Sequence, residues 1–306
     1  MPIEATSKIW MDGEYVDWDA ARVHVLTPSL HYGWGAFEGI RAYETVAGTS
    51  AVFRLTDHMK RLFRSAKIYH MEPPISLEGS VKVVKDLVAM NGLRTCYIRP
   101  IVYLGYGEIG LNPLVSQVRM AIACWAWGAY LGEEAFETGV RAKISSWRRL
   151  DPNIIPPAAK ATGQYLNSSL AKAEAIKAGY DEGILLNPGG YVTDGSGENL
   201  FVVRGGALYT PPLAAGCLAG ITRDSIIRIA ADEGLEVHET DLVRTDLYLA
   251  DEAFFTGTAA EVVPIREVDD RVLGDPGPIT RRVQEVFVAA TRGRDGRYSD
   301  WLEPVE

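Results

Sequence analysis

The chain has 306 residues, enough for two domains with cores of their own, and its 47% hydrophobic and 23% charged content is ordinary for a globular protein. A net charge of −9 argues against nucleic acid or an anionic membrane as the main partner, because both attract basic surfaces. It leaves room for a small anionic substrate, which a local cluster of arginines can still attract.

Taken in chain order, Lys8 to Val16 alternates around Asp12-Gly13 and predicts a hairpin. Apolar residues at Met59, Leu62, Phe63, Ala66, Ile68 and Tyr69 predict a helix over 57–71 with Asp57 as N-cap. A second helix is expected over Leu77–Asn91, stopped by Gly92. Cys96–Leu104 and Val118–Trp125, rich in branched and aromatic residues, predict strands. The composition then shifts from Trp127 to Glu134, where neither period holds, which predicts an interdomain loop over 127–138. Beyond it a strand is expected over Val140–Trp147 and an alanine-rich helix over Gln164–Ala178, ending at Gly179. Gly183–Leu186 and Leu200–Val203 read as strands, with a turn at Asn187-Pro188-Gly189-Gly190. Arg223–Glu233 reads as a helix stopped by Gly234, and Val283–Thr291 as a last helix. Hairpin signals outnumber strand–helix–strand units, so the expected fold is α/β of the α+β type, with mainly antiparallel sheets. Its two domains are a smaller one over 1–126 and a larger one over 139–306.

Three segments carry candidate chemistry. Lys160 follows Pro156-Pro157-Ala158-Ala159 and precedes Ala161-Thr162-Gly163, so prolines fix the backbone and small residues keep bulk away from the amine. A lysine amine can form a Schiff base with a cofactor aldehyde, and a partly desolvated pocket favours its neutral form. Tyr165, at the start of the following helix, is placed to reach a cofactor's phenolic oxygen. Asp194 and Glu198 lie in the turn Thr193-Asp194-Gly195-Ser196-Gly197-Glu198-Asn199, and either carboxylate can pair with a protonated pyridine nitrogen. A hairpin with a capping carboxylate is the plain alternative for that turn. In Leu218-Ala219-Gly220-Ile221-Thr222-Arg223, Gly220 permits close backbone approach, and Ile221 and Thr222 bring N–H groups to a helix N-terminus suited to phosphate. Thr256-Gly257-Thr258-Ala259-Ala260-Glu261 gives a second small-residue loop with a hydroxyl. Lysine, carboxylates and phosphate loop in this order look like a pyridoxal 5′-phosphate (PLP) site.

The chain resembles the branched-chain-amino-acid aminotransferases, members of the class IV (fold type IV) PLP enzymes, from about Ile9 to Trp301. The resemblance rests on His31-Tyr32-Gly33, Phe37-Glu38-Gly39-Ile40-Arg41, Tyr97-Ile98-Arg99-Pro100, the Lys160 segment, Gly197-Glu198-Asn199, Gly220-Ile221-Thr222-Arg223 and Gly257-Thr258-Ala259-Ala260. It implies that the larger domain carries the cofactor lysine, Lys160, which also shuttles the substrate proton. It implies that Tyr165 bonds the phenolic oxygen, Leu218 packs on the ring, and Arg61, Ile221, Thr222 and Thr258 hold the phosphate. Tyr32, Phe37, Tyr97, Arg99, Trp127 and Tyr130 would wall the substrate pocket, with Thr258, Ala259 and Ala260 at the α-carboxylate. Arg99 would receive the second carboxylate of glutamate, and Tyr32 and Leu111 would reach across to another subunit of a homo-oligomer.

Three departures bear on this. Asp194 stands where the family usually has a glutamate as partner of the pyridine nitrogen, Ala219 replaces a usual proline, and Trp34 replaces a small residue. Trp34 leaves two openings, a packed aromatic or a reshaped pocket of the kind a D-amino acid or (R)-amine aminotransferase would have. A lyase of the same fold acting on aminodeoxychorismate is a further alternative.

Other signals carry less. Gly105-Tyr106-Gly107-Glu108-Ile109-Gly110 fits a dinucleotide-binding pattern but runs into Leu111-Asn112-Pro113, a poor helix opening, and reads as a loop. The five histidines show no metal-ligand spacing, so no metal is expected. Cys96, Cys124 and Cys217, odd in number and set in apolar stretches, read as buried thiols, and Met1–Trp10 has no basic-then-apolar pattern. No uncharged apolar run approaches the ~20 residues of a membrane helix. The expectation is a cytoplasmic enzyme of small-molecule amino acids and 2-oxo acids, with neither nucleic acid nor membrane as partner.

Overall fold

The expected hairpin opens the chain: β1 (Lys8–Met11) and β2 (Glu14–Asp17) pair with Met11 opposite Glu14. Asp12 and Gly13 between them take φ of 50° and 105°, the two left-handed residues that a tight two-residue connection requires. The computed structural model describes residues 3–128 and 131–305. It divides into two units, Met1–Gly128 with Ala159–Gly163 and Ala289–Glu306, and Ala129–Ala158 with Gln164–Val288.

In the first unit the hairpin is followed by α1 (Pro28–Tyr32), β3 (Gly35–Phe37), β4 (Ile40–Glu44) and β5 (Ser50–Phe53). Helices α2 (Leu55–Ile68) and α3 (Leu77–Met90) come next, then β6 (Cys96–Leu104) and β7 (Val118–Trp125). The eight-stranded sheet runs Leu302–Pro304, β5, β4, β6, β7, β1, β2, with β3 also paired to β6. All its pairings are antiparallel. Ile40, Val52, Ile98 and Ile122 from the sheet meet Leu55, Met59, Leu62 and Ala66 of α2 and Val84, Leu87 and Val88 of α3 in one buried core. Each of the larger side chains contributes about 1.5–3 kcal/mol by leaving water. Ser76 caps α3 by accepting from the Gly79 N–H at 3.0 Å. Asp57 does not cap α2. The helix starts two residues earlier, Arg54 is its N-cap at φ 49°, and the Thr56 N–H is satisfied by Glu303 at 2.6 Å. Asp57 sits in the first turn, where its charge suits the helix dipole and pairs with Arg54 at 2.8 Å.

The second unit begins with α4 (Glu133–Thr138) and β8 (Val140–Arg148). It continues through α5 (Tyr165–Lys177), β9 (Glu182–Leu186), β10 (Val192–Gly195), β11 (Asn199–Arg204) and β12 (Ala207–Thr210). Then come α6 (Ile221–Asp232), β13 (Val237–Glu239), α7 (Arg244–Tyr248), β14 (Glu252–Gly257), β15 (Glu261–Val268), β16 (Arg271–Val272) and α8 (Pro278–Thr291). The nine-stranded sheet runs β10, β9, β8, β15, β14, β11, β12, β13, with β16 on β15. Three of its pairings, β8 with β9, β8 with β15, and β12 with β13, are parallel. The segment expected as an interdomain loop is therefore partly helical, since 133–138 forms α4 and buries Ala135 in the second core.

The expected boundary at 139 also differs from the observed division. Residues 159–163 join the first unit, because Ala161 bridges Ala36, the Phe37 N–H donates to the Lys160 carbonyl at 3.0 Å, and Thr162 Oγ1 donates to the Gly33 carbonyl at 2.7 Å. Periodicity within a segment carries no signal for pairing with a strand 120 residues away. Among the described residues no helix is long and apolar enough to cross a membrane, and the three cysteines are free and buried.

Candidate active site

In the first unit, Lys160 is held by its backbone. Its carbonyl receives the Phe37 N–H of β3, and its own N–H donates to Ser65 Oγ of α2 at 3.0 Å. The half-buried amine lies 5.2 Å from the Phe37 ring centroid. The same ring takes the Arg99 guanidinium at 4.8 Å, and Arg99 Nη2 donates to the Tyr97 hydroxyl at 3.3 Å. Tyr97 packs edge-on against Trp127 with centroids 4.3 Å apart. Neighbouring strand positions on β6 thus supply Tyr97 and Arg99, two residues apart and on one face. Gly39 makes this possible, since a Cβ there would lie 1.8 Å from the Tyr97 hydroxyl oxygen. Lysine, phenylalanine, arginine, tyrosine and tryptophan therefore share one aromatic surface. Tyr32 lies on α1, 43% exposed, and Tyr130 falls outside the described residues.

Arg61, on α2, grips the buried carboxylate of Glu38 with Nε at 2.6 Å and Nη2 at 2.8 Å. His58 Nδ1 meets the same carboxylate at 2.8 Å, and His58 Nε2 is buried with no hydrogen-bond partner among the described residues. Burial pushes the Glu38 carboxyl up, but Arg61 and His58 outweigh it and hold the group well below the usual carboxylate range. Burial keeps His58 below its ordinary value, with the Glu38 carboxylate opposing and the Arg61 and Lys160 charges assisting. Sequence reasoning quoted Glu38 in a motif without giving it a role, and His58 was invisible beyond its helical position. The i, i+3 spacing of His58 and Arg61 was the available signal.

The second unit holds a cleft lined by Tyr165, Asp194, Glu198, Asn199, Leu218 and Arg149 among others. Arg149, which sequence reasoning missed, follows β8 and clamps Asp194 Oδ1 with Nε at 2.9 Å and Nη2 at 2.6 Å. Its Nη1 reaches Ser168 Oγ at 3.1 Å, and Thr193 Oγ1 donates to the same Asp194 oxygen at 2.8 Å. The shorter aspartate is thus fixed in place. Burial raises the Asp194 carboxyl above its ordinary value, and the Arg149 charge offsets that only in part. Glu198 accepts from the Gly197 N–H at 3.0 Å and lies over Gly195, whose Cβ would approach Glu198 Oε2 to 2.8 Å. Burial and then the neighbouring Glu182 charge push its carboxyl up to about 8.

Helix α6 starts at Ile221, two residues before the expected start, which places Ile221 and Thr222 in its first turn. Gly220 is the N-cap, with no side-chain cap bond. Its Cβ would fall 1.9 Å from Asn199 Oδ1, and Asn199 Nδ2 donates to the Leu218 carbonyl at 2.9 Å. Asn199 thus ties β11 to the turn ahead of the helix. Thr258, Ala259 and Ala260 form the turn between β14 and β15, where a Cβ on Gly257 would lie 3.5 Å from Glu198 Cγ. A carboxylate pinned by arginine, a hydroxyl, a leucine and a glycine-cradled helix N-terminus suit a phosphorylated, protonated aromatic ring.

Trp34 packs away from the aromatic surface of Lys160. It joins the first core, stands edge-on to Tyr69 with centroids 5.5 Å apart, and donates from Nε1 to the Tyr69 carbonyl at 3.1 Å. Trp34 is a packed aromatic here.

The model of the family described as "Amino-transferase class IV" matches residues 35–268, which takes in both groups of residues. The chain belongs to the class IV aminotransferases. Within this family it is 47% identical over 300 residues to the branched-chain-amino-acid aminotransferase of Pseudomonas aeruginosa, covering 97% of each chain. The crystal structure of the Escherichia coli branched-chain amino acid aminotransferase matches with a TM-score of 0.96 at 45% identity, over 98% of this chain and 100% of that one. A T.th. branched-chain amino acid aminotransferase complexed with N-(5′-phosphopyridoxyl)-L-glutamate matches with a TM-score of 0.94 at 46% identity, over 98% and 99%. The class IV fold thus accounts for both sheets.

Proposed function

We propose that this chain is a PLP-dependent branched-chain-amino-acid aminotransferase. It moves the amino group reversibly between L-leucine, L-isoleucine or L-valine and 2-oxoglutarate, giving branched-chain 2-oxo acids and L-glutamate. One observation supports the dual specificity best. The Phe37 ring lies 5.2 Å from the Lys160 amine and 4.8 Å from the Arg99 guanidinium, so an apolar wall adjoins both a nucleophilic amine and a cation. An aromatic wall suits a branched aliphatic side chain, and one arginine suits the second carboxylate of glutamate.

When bound, PLP supplies an electron sink for the charge left at the substrate Cα as its proton departs. Lys160 holds the cofactor between turnovers and carries the proton to and from Cα as a general acid–base. Asp194, steadied by Arg149 and Thr193, keeps the ring nitrogen protonated. Tyr165 donates to the phenolic oxygen, and Leu218 shields the ring face from water. The first turn of α6 with Ile221 and Thr222, and Thr258, would hold the phosphate, and the resemblance assigns Arg61 to the same group. Tyr97 and the backbone of Thr258, Ala259 and Ala260 would orient the α-carboxylate, while Tyr32, Phe37, Trp127 and Tyr130 would wall the pocket.

We also propose a cytoplasmic homo-oligomer. Leu30, Leu111 and Leu114, 63%, 86% and 71% exposed on the first unit, are the side chains that support self-association. The test is a set of half-reactions. Purified holoenzyme is mixed separately with L-leucine, L-glutamate, D-alanine and an (R)-arylalkylamine while the cofactor absorbance is followed. Rapid change with L-leucine and L-glutamate alone is the expected result. Rapid change with D-alanine or the amine overturns the assigned specificity.

A further inference from the structure

Glu198 Oε2 lies over Gly195 of β10, which pairs with Ile184 of β9. Glu182 stands two residues before Ile184 on the same face, so the two glutamates share one side of the sheet in a buried cluster of charges whose signs do not balance. Asp194, Glu182 and Glu198 are 8%, 0% and 5% exposed. Arg149 pairs with Asp194 at 2.6 Å. Lys172, on α5, pairs with Glu182 at 2.7 Å, and its amine also donates to the Asp181 carbonyl at 2.7 Å. The other Glu182 oxygen accepts from the Gly183 N–H at 2.7 Å. Glu198 has only the Gly197 N–H, and no cation pairs with it among the described residues. Three carboxylates thus face two cations away from water. An isolated ionised carboxylate in such a place is costly, and a bound proton removes the cost.

We propose that Glu198 and Glu182 hold one proton between them, with Lys172 fixing the negative charge on Glu182, so that Glu198 presents a neutral carboxyl to the cleft beside Asp194. The groups facing Glu198 agree with this assignment. Glu182 on β9 and Asp194 on β10 disfavour its ionisation, while Lys172 on α5 favours it. Burial is the largest influence, and the balance lies on the protonated side at neutral pH. Resting on the function proposed above, the array gives Glu182, Lys172 and Glu198 a positioning role. They leave Asp194 as the one ionised carboxylate in the cleft for the ring nitrogen, and they supply a hydrogen-bond donor next to it. Ionisation of Glu198 releases the shared proton to solvent and adds a second negative charge to the cleft.

Two substitutions separate this from a merely structural role, because they move the proton in opposite directions. In Glu182→Gln the repelling anion is gone and Glu198 ionises more easily. In Lys172→Gln the stabilising cation is gone and the pair keeps its proton to higher pH. The measurement is a pH titration by 13C NMR of holoenzyme labelled at the glutamate side-chain carboxyls, with the Glu198 signal identified by its loss in Glu198→Gln. The expected midpoint for the last proton of the pair is about 8 in the unaltered enzyme. It should fall by at least about one unit in Glu182→Gln, rise by about one unit in Lys172→Gln, and return in Lys172→Arg. A Glu198 midpoint in the ordinary carboxylate range overturns the proposal, as do shifts of the same sign in the two variants. The titration is read without substrate, so it can fail while the half-reactions succeed, or the reverse.

Discussion

Gly39→Ala probes how the substrate arginine is held. The backbone at Gly39 needs no left-handed angle, so the whole effect comes from the added methyl. That methyl would lie 1.8 Å from the Tyr97 hydroxyl oxygen and 2.7 Å from Cζ, whereas ordinary contact begins near 3.4 Å, so the phenol must move by about 1.6 Å. Its room is limited, with Trp127 at 4.3 Å, Trp125 at 5.3 Å and the Arg99 guanidinium at 5.2 Å. Overpacking of this kind costs ~1–3 kcal/mol, which lowers the Tm of a domain this size by about 2–4 °C per kcal/mol. The larger effect is on function. Losing the 3.3 Å bond from Arg99 to the Tyr97 hydroxyl frees the arginine that meets the second carboxylate of glutamate. A displacement of an ångström can cost ~100-fold in rate, so kcat/KM for L-glutamate should fall by about 10- to 100-fold. L-Leucine shares the Tyr97 contact to its α-carboxylate but makes no use of the Arg99 cation, so it too should lose rate, by several-fold less than L-glutamate. Half-reaction kinetics with the two amino acids, alongside thermal unfolding, are the assay. Equal losses for both substrates would refute the assigned role of Arg99, and an unchanged Tm with unchanged kinetics would refute the packing argument.

Other expectations follow from the same geometry. Glu38→Gln removes the fully buried anion of an ion pair and should cost about 3–5 kcal/mol in denaturant unfolding of the cofactor-free protein. Because the folded Glu38 lies below its ordinary 4.5, its contribution is complete above that pH and is lost as pH falls toward the folded value, so the two proteins should converge in stability in acid. Gly220→Ala places a Cβ 1.9 Å from the buried Asn199 Oδ1 and should weaken retention of PLP by at least about tenfold in equilibrium dialysis, beyond the ~1–3 kcal/mol that the overpacking costs the cofactor-free protein. Arg149→Met leaves Asp194 buried without its 2.6 Å partner and should raise the ring-nitrogen partner's own pKa, seen as a shift in the pH dependence of the cofactor absorbance. An unshifted profile would remove Arg149 from the account.

Much of this was legible in the sequence where one segment carries its own period. The hairpin at Asp12-Gly13, the strands β6 and β7, and α5 ending ahead of Gly179 all appeared within a residue or two of their expected bounds. What periodicity could not give was long-range pairing. Lys160 belongs with β3 because of backbone bonds to Phe37 and Ser65, and nothing within 154–163 announces that. The start of α2 was misplaced because its first turn is satisfied by Glu303, far along the chain. The candidate site shows the same split. Residues in glycine-rich motifs were found, whereas Glu38, His58, Arg149 and Lys172 act through side chains from other elements. Charge balance in a buried cluster is a property of the folded chain alone. The aspartate at 194 shows the complement: a departure visible in sequence acquired its meaning only when Arg149 and Thr193 were found holding it.

The central claim is that Lys160 carries the cofactor. Reduction of the holoenzyme with borohydride, followed by proteolysis and mass spectrometry, tests it most directly, since reduction makes the link between amine and cofactor permanent. The account predicts a phosphopyridoxyl group on the peptide containing Lys160 and none on a Lys160→Ala protein loaded in the same way. A label on another lysine, or a Lys160→Ala protein that still converts L-leucine at the original rate, would contradict it.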